Sequence, residues 1–168
     1  EFACFFRSLE AEVTVIEALD QVLPNEDQEI AELARKQFEK NGIKIITGAT
    51  VSKLNKSGDS VTVTFTDGSG NSYGLETDRV ISAVGVVGNT EEIGLETTKV
   101  KTKKGCIICD QFGQTAEAGV YAIGDVAGPP MLAHKAEHEG TLCIEKIAGL
   151  DVRALKKEHI PSCIYGRP

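Results

Sequence analysis

Between residues 11 and 47 the chain runs apolar strand, helix, apolar strand, and this order narrows the possible folds more than any other feature. Val13, Val15 and Ile16 form a short β-branched run that closes on an acid, Glu17. A helical pattern over residues 26–40 follows, with Ile30, Leu33, Ala34 and Phe38 on one face, Asn25 and Gln28 as a capping box, and Gly42 as the stop. Residues 43–47 are the second strand. Strands joined by such a crossover lie parallel, with a right-handed connection. A third apolar run, residues 80–84, completes the predicted parallel sheet. Residues 49–76 alternate instead: Val61, Val63 and Phe65 fall on one face and Thr62, Thr64 and Thr66 on the other, with turns at Gly58-Asp59 and Asp67-Gly68. The expectation is an α/β fold in which an antiparallel meander is attached to a parallel sheet. An uncapped helical pattern, Glu1-Phe2-Ala3-Cys4-Phe5-Phe6, precedes it and ends near Ser8.

The second half is organised around Gly119-Val120-Tyr121-Ala122-Ile123-Gly124-Asp125. This run predicts a strand ending in a tight Gly-Asp turn, after which Gly128-Pro129-Pro130 leads into a helix over residues 133–147, stopped by Gly149. Such a junction suits a ligand. Gly124 lets it approach the backbone, Asp125 offers a carboxylate to hydroxyl groups, and the N–H groups of the helix start favour an anion. The helix is expected to bury Ala136, Gly140, Cys143, Ile144 and Ile147. A mid-helix glycine costs about 1 kcal/mol relative to alanine, so Gly140 points to a close packing contact or a bound cofactor. Shorter strand patterns lie near residues 99–101 and 106–109.

Thr115, followed after a four-residue gap by Val120-Tyr121-Ala122-Ile123-Gly124-Asp125, resembles the second FAD-binding motif of the flavin disulfide reductases. Met131-Leu132-Ala133-His134-Lys135-Ala136 with Glu139-Gly140 is most similar to the dihydrolipoamide dehydrogenases within that group. The resemblance implies a Rossmann-like FAD/NAD-binding fold that is incomplete. Residues 1–86 would be an NAD-binding domain lacking its first strand and Gly-rich loop, residues 87–158 the C-terminal part of an FAD-binding domain, and residues 159–168 the first strand of a dimer-interface domain. It further implies Glu17 on the adenine ribose, favouring NAD over NADP, with Arg7 too deep in its helix to clamp a 2′-phosphate. Glu1 would lie near the nicotinamide and Gly85 would close the strand at which the chain leaves the NAD domain. Asp125 would bind the flavin ribityl chain, and Met131, Leu132, Ala133 and His134 would lie beside the flavin ring. The family's Arg-x-Pro-Asn after that glycine is replaced here by Val86-Val87-Gly88-Asn89, so an arginine contact does not carry over.

By the same resemblance the intact parent would reoxidise dihydrolipoamide of 2-oxo acid dehydrogenase complexes, passing electrons through FAD to NAD. It would be a homodimer in the cytoplasm, or in the mitochondrial matrix of a eukaryote. The segment alone is expected to be inactive. The family's redox cysteines are separated by four residues, a spacing that Cys4, Cys106, Cys109, Cys143 and Cys163 never give, and its His–Glu base belongs to the interface domain. Alternatives are another reductase of the same architecture, acting on mercuric ion or glutathione, and a non-catalytic nucleotide-binding module if the chain is a complete product.

Charge and composition remove other classes. The net charge of −7 and the absence of any basic cluster longer than Lys103-Lys104 or Lys156-Lys157 argue against a nucleic-acid partner. The longest near-apolar run, residues 80–88, is too short for a membrane span. Five irregularly spaced cysteines suit a reducing compartment better than a disulfide framework. His134-Lys135-Ala136-Glu137-His138 has the spacing of inverted zinc peptidases, but its flanks match the flavin motif and no metal site is expected. Cys106-Ile107-Ile108-Cys109 has redox spacing yet falls in a strand pattern, where residues three apart face opposite ways; two buried thiols are expected.

Overall fold

The computed structural model describes residues 1–166. They divide into two compact units, one of residues 1–82 with the described residues from Cys163 onward, the other of residues 83–162.

In the first unit α1 (Phe2–Ser8) leads to β1 (Val13–Ile16), α2 (Gln28–Lys40) and β2 (Ile43–Ile46). β1 and β2 pair in parallel, from Val13 opposite Ile43 to Ile16 opposite Ile46, as the crossover order requires. Buried Val22, Ile43 and Ile45 form the core, with Ala3, Cys4, Val13, Val15, Leu23 and Phe38 packed on it. Arg7 fastens α1 to this core by donating from Nε to the Asn41 carbonyl (3.0 Å) and from Nη1 to the Ala11 carbonyl (3.1 Å). Gly42 is required twice over: its φ is +86°, and a Cβ there would lie 2.8 Å from Arg7 Nε.

The cap of α2 differs from the expected capping box. Asp27 precedes the helix, and its Oδ1 accepts from the Glu29 and Ile30 N–H groups at 2.9 and 3.4 Å. A carboxylate directly before the first helical residue satisfies these donors without help from Asn25. The buried face is also narrower than predicted. Ala31 is buried and Ala34 and Phe38 are half-buried, but Ile30 and Leu33 are exposed, because a ladder of two strands covers less width than their four-residue stripe.

The third strand does not form. Residues 80–85 hold no strand, and Val84 is 96% exposed. An apolar run records suitability for burial; a strand also needs a neighbour offering its backbone groups, and among the described strands none pairs with this run. The meander does form, with β3 (Thr50–Ser57), β4 (Ser60–Thr66) and β5 (Ser72–Thr77) antiparallel in that order. Val63 and Phe65 are its buried residues, and Phe65 stacks on Tyr73 with ring centres 5.5 Å apart. Its second turn hangs on Asp67, whose carboxylate accepts from the Ser69 N–H, the Asn71 N–H, Asn71 Nδ2 and the Tyr73 hydroxyl.

In the second unit β6 (Thr102–Lys103) and β7 (Cys106–Ile107) make a short hairpin, β6 just beyond the first predicted run and β7 within the second. Gly88 lies backbone to backbone against Gly105, where a Cβ would collide with the Gly105 carbonyl. The run 119–124 forms a single bridge, Gln114 to Tyr121, in place of a strand. Gly113 and Gly119 take positive φ on either side and Gly124 opens a 3-10 turn, Gly124–Ala127, so the extended stretch is cut short. Helix α3 (Ala133–Ile147) ends as predicted at Gly149, with φ +80°. Its buried stripe is rotated from the predicted one. Lys135 and Cys143 are buried and Glu139 is largely so, while Ile144 and Ile147 are exposed. Gly140 serves packing, since a Cβ there would lie 3.2 Å from Ile123 Cδ1. Toward the C-terminus His159 ends a 3-10 turn, Lys157–His159, and residues 160–166 form no strand; Arg167 and Pro168, the end of that expectation, lie outside the described residues.

Candidate functional site

Two of the candidate residues belong to the first unit. Glu17 stands where β1 ends: its N–H donates to the Ile46 carbonyl at 2.8 Å, and its Oε1 accepts the Leu19 N–H at 2.9 Å. One carboxylate oxygen thus fixes the chain as it leaves the strand. Glu1 precedes α1 without capping it, and its Oε1 accepts the Tyr165 N–H at 3.1 Å. Arg7 is committed to two backbone carbonyls, so its guanidinium is already engaged inside the unit.

The remaining candidates lie in the second unit. Gly85 has φ +122° and open space where a Cβ would stand, and it joins no other candidate. Gly124 and Asp125 are brought close to the start of α3. Thr115 steadies the approach by donating from Oγ1 to the Val120 carbonyl at 2.8 Å. Gly124 is buried, with φ +73°, and a Cβ there would meet Ala136 Cβ at 3.2 Å. Its N–H donates to Glu139 Oε2 at 2.8 Å. The missing side chain therefore admits the helix on this side. Asp125 is exposed. Met131 and Leu132 are half-buried before α3, Ala133 is exposed and His134 half-buried. Leu132 has no side chain able to cap, and the first turn of α3 receives no side-chain cap.

Sequence reasoning missed Lys135 and Glu139. The Lys135 ammonium donates to the Gly128 carbonyl (2.7 Å) and the Gly124 carbonyl (3.0 Å), and it lies 3.1 Å from Glu139 Oε2. The available signal was an opposite-charge pair four residues apart inside the flavin-like run, a spacing usually assigned to a solvated face.

Burial pushes the Cys109 thiol above its ordinary value, assisted by the negative charges of Glu139 and Asp110; burial and Asp110 do the same for Cys143. Cys106 and Cys109 are half-buried where burial was expected, because β7 stops at Ile107 and Cys109 leaves the ladder. His134 Nε2 is 2.9 Å from the Pro161 carbonyl. Among the described residues no group of three or more His, Cys, Asp or Glu is set to hold a metal ion, and no helix is long and apolar enough to cross a membrane.

A family model described as pyridine nucleotide-disulphide oxidoreductase matches residues 1–140. The chain is 53% identical to a dihydrolipoyl dehydrogenase of Rhizobium etli, over 100% of this chain and 35% of that protein. It is 42% identical to a dihydrolipoyl dehydrogenase of Zymomonas mobilis, over 100% of this chain and 36% of that protein. Among solved structures, LpdA from Mycobacterium tuberculosis matches with a TM-score of 0.87 at 27% identity, over 100% of this chain and 36% of that one. The HOCl-induced flavoprotein disulfide reductase RclA from Escherichia coli matches in fold, with a TM-score of 0.81 at 23% identity, over 91% of this chain and 34% of that one. The chain thus spans about a third of the length of the curated relatives it matches.

Proposed function

This chain belongs to the pyridine nucleotide-disulphide oxidoreductase family, and from that premise we propose that it supplies nucleotide-binding parts of a flavoenzyme that reoxidises dihydrolipoamide. The observation that carries the proposal is the Gly124–Ala127 turn, anchored on α3, which leaves the Asp125 carboxylate exposed ahead of a helix start without a side-chain cap. These residues fit a flavin nucleotide. Asp125 would accept from ribityl hydroxyls, and the backbone from Met131 to His134 would lie beside the ring. The first turn of α3 would favour negative charge there through its N–H groups and dipole. When bound, FAD supplies the step between a thiol donor and hydride transfer to NAD.

In the first unit Glu17 would bind the adenine ribose and disfavour NADP through its charge, with Glu1 on the nicotinamide side, while Gly85 of the second unit would stand at the exit of the NAD domain. Residues 1–86, 87–158 and 159–168 would then serve as parts of the NAD-binding, FAD-binding and interface domains. The chain's own chemistry is binding and orientation, because it has no cysteine pair at the family's spacing. The full-length protein would act as a homodimer serving a 2-oxo acid dehydrogenase complex, in the cytoplasm or in a mitochondrial matrix. The test is dihydrolipoamide-dependent reduction of NAD by the full-length protein, together with a flavin absorption spectrum that D125A weakens. A colourless full-length protein, or one that leaves dihydrolipoamide unoxidised, would overturn the proposal.

A further inference from the structure

Lys135 is fully buried, and its ammonium has three protons and three acceptors: the Gly128 carbonyl at 2.7 Å, the Gly124 carbonyl at 3.0 Å and Glu139 Oε2 at 3.1 Å. The same Glu139 oxygen takes the Gly124 N–H at 2.8 Å. One turn of α3 therefore grips the 3-10 turn at its first residue and at Gly128, which follows its last. Peptide geometry extends the effect to the next residue. In a trans peptide the carbonyl of one residue and the N–H of the next point in opposite directions. With the Gly124 carbonyl turned onto Lys135 Nζ, the Asp125 N–H is directed away from the ammonium, and the Asp125 side chain is exposed.

We infer that Lys135, acting with Glu139, is a positioning residue: it sets the backbone at Gly124 and Asp125 so that the Asp125 amide and carboxylate are held outward toward an anionic, hydroxyl-bearing ligand. The inference rests on the reading of Asp125 as a nucleotide contact. It differs from a purely stabilising role in one respect. A buried ion pair that only fills space can be replaced by well-packed apolar side chains at little cost in stability. An anchor for two carbonyls and an amide cannot be replaced in that way.

The experiment uses K135M and the double variant K135M/E139L of the full-length protein, with amide exchange of the cofactor-free form followed by mass spectrometry, the thermal midpoint, and FAD titrated while exchange of the Asp125 amide is observed. K135M is expected to speed exchange of the Gly124 amide and to weaken FAD binding, each by about tenfold or more. Should K135M fail to fold, the double variant carries the test: its thermal midpoint recovers, whereas its FAD affinity stays about tenfold or more weaker. A double variant that recovers both overturns the inference, as does unchanged Gly124 exchange in the K135M and K135M/E139L chains. An unmodified full-length protein whose Asp125 amide ignores FAD sinks the nucleotide reading instead. Gly124 exchange is measured without FAD and judges the anchor separately.

Discussion

At the scale of single residues, the acidic candidates were found by their place in the sequence. Asp125 and Glu17 stand at the ends of apolar runs, where an acid has no packing role to hide behind. Lys135 and Glu139 escaped notice because helical periodicity assigns charged residues to solvent, and only the converging carbonyls of Gly124 and Gly128 explain their burial. A glycine pattern likewise records a missing side chain without saying which neighbour fills the space, which at Gly124 includes Ala136 of α3. Gly124→Ala should destabilise the chain by roughly 1–3 kcal/mol, through strain at positive φ and crowding of Ala136, measured as a lower denaturant midpoint. In the full-length protein, Glu17→Ala should weaken NAD binding by about tenfold or more and erode its preference over NADP, read by titration calorimetry with each cofactor. The cysteines give a third expectation. Cys109 and Cys143 hold their protons above the ordinary thiol range, so folding favours their neutral forms. Their contribution to stability is present below about pH 8.5 and is lost as pH rises through the raised values. Pulsed alkylation read by mass spectrometry should modify exposed Cys163 first and Cys143 last.

Elements were legible where local chemistry and partner were both written into one stretch. α1, β1, α2, β2 and the meander come from periodicity, caps and turns, and each finds its neighbour within a few tens of residues. Residues 80–84 and 119–124 carry the same apolar signal and form no strand, since burial potential says nothing about where a ladder partner lies. Asp27→Ala should remove the α2 cap at a cost of about 1 kcal/mol, visible in thermal unfolding. The β4–β5 turn offers a pH test. Four hydrogen bonds, those from Asn71 foremost, hold the Asp67 carboxyl below its usual range. That support is present above the ordinary carboxylate range, near pH 4, and is lost as pH falls through the lowered value. The thermal midpoint of D67N should accordingly change less on acidification than that of the unmodified chain.

For the whole molecule, the proposed sites are partial. No Gly-x-Gly-x-x-Gly loop occurs in these 168 residues, so a dinucleotide pyrophosphate lacks its usual cradle here. Forgoing three charge-assisted hydrogen bonds, at roughly 1.5–3 kcal/mol each, should lower cofactor affinity by about three or more powers of ten. Equilibrium dialysis of the isolated chain should therefore show no micromolar FAD or NAD binding. β1 pairs only with β2 among the described strands, which leaves an open edge near the exposed apolar residues of α1 and should drive concentration-dependent association in sedimentation. The enclosed ammonium of Lys135 has a practical counterpart. An amine with every proton engaged and no solvent contact presents no lone pair to an acylating reagent, so it reacts only during excursions that lift α3 from its turn. Its slow acetylation, timed against that of the surface lysines, makes this side chain a built-in clock for how often the second unit opens.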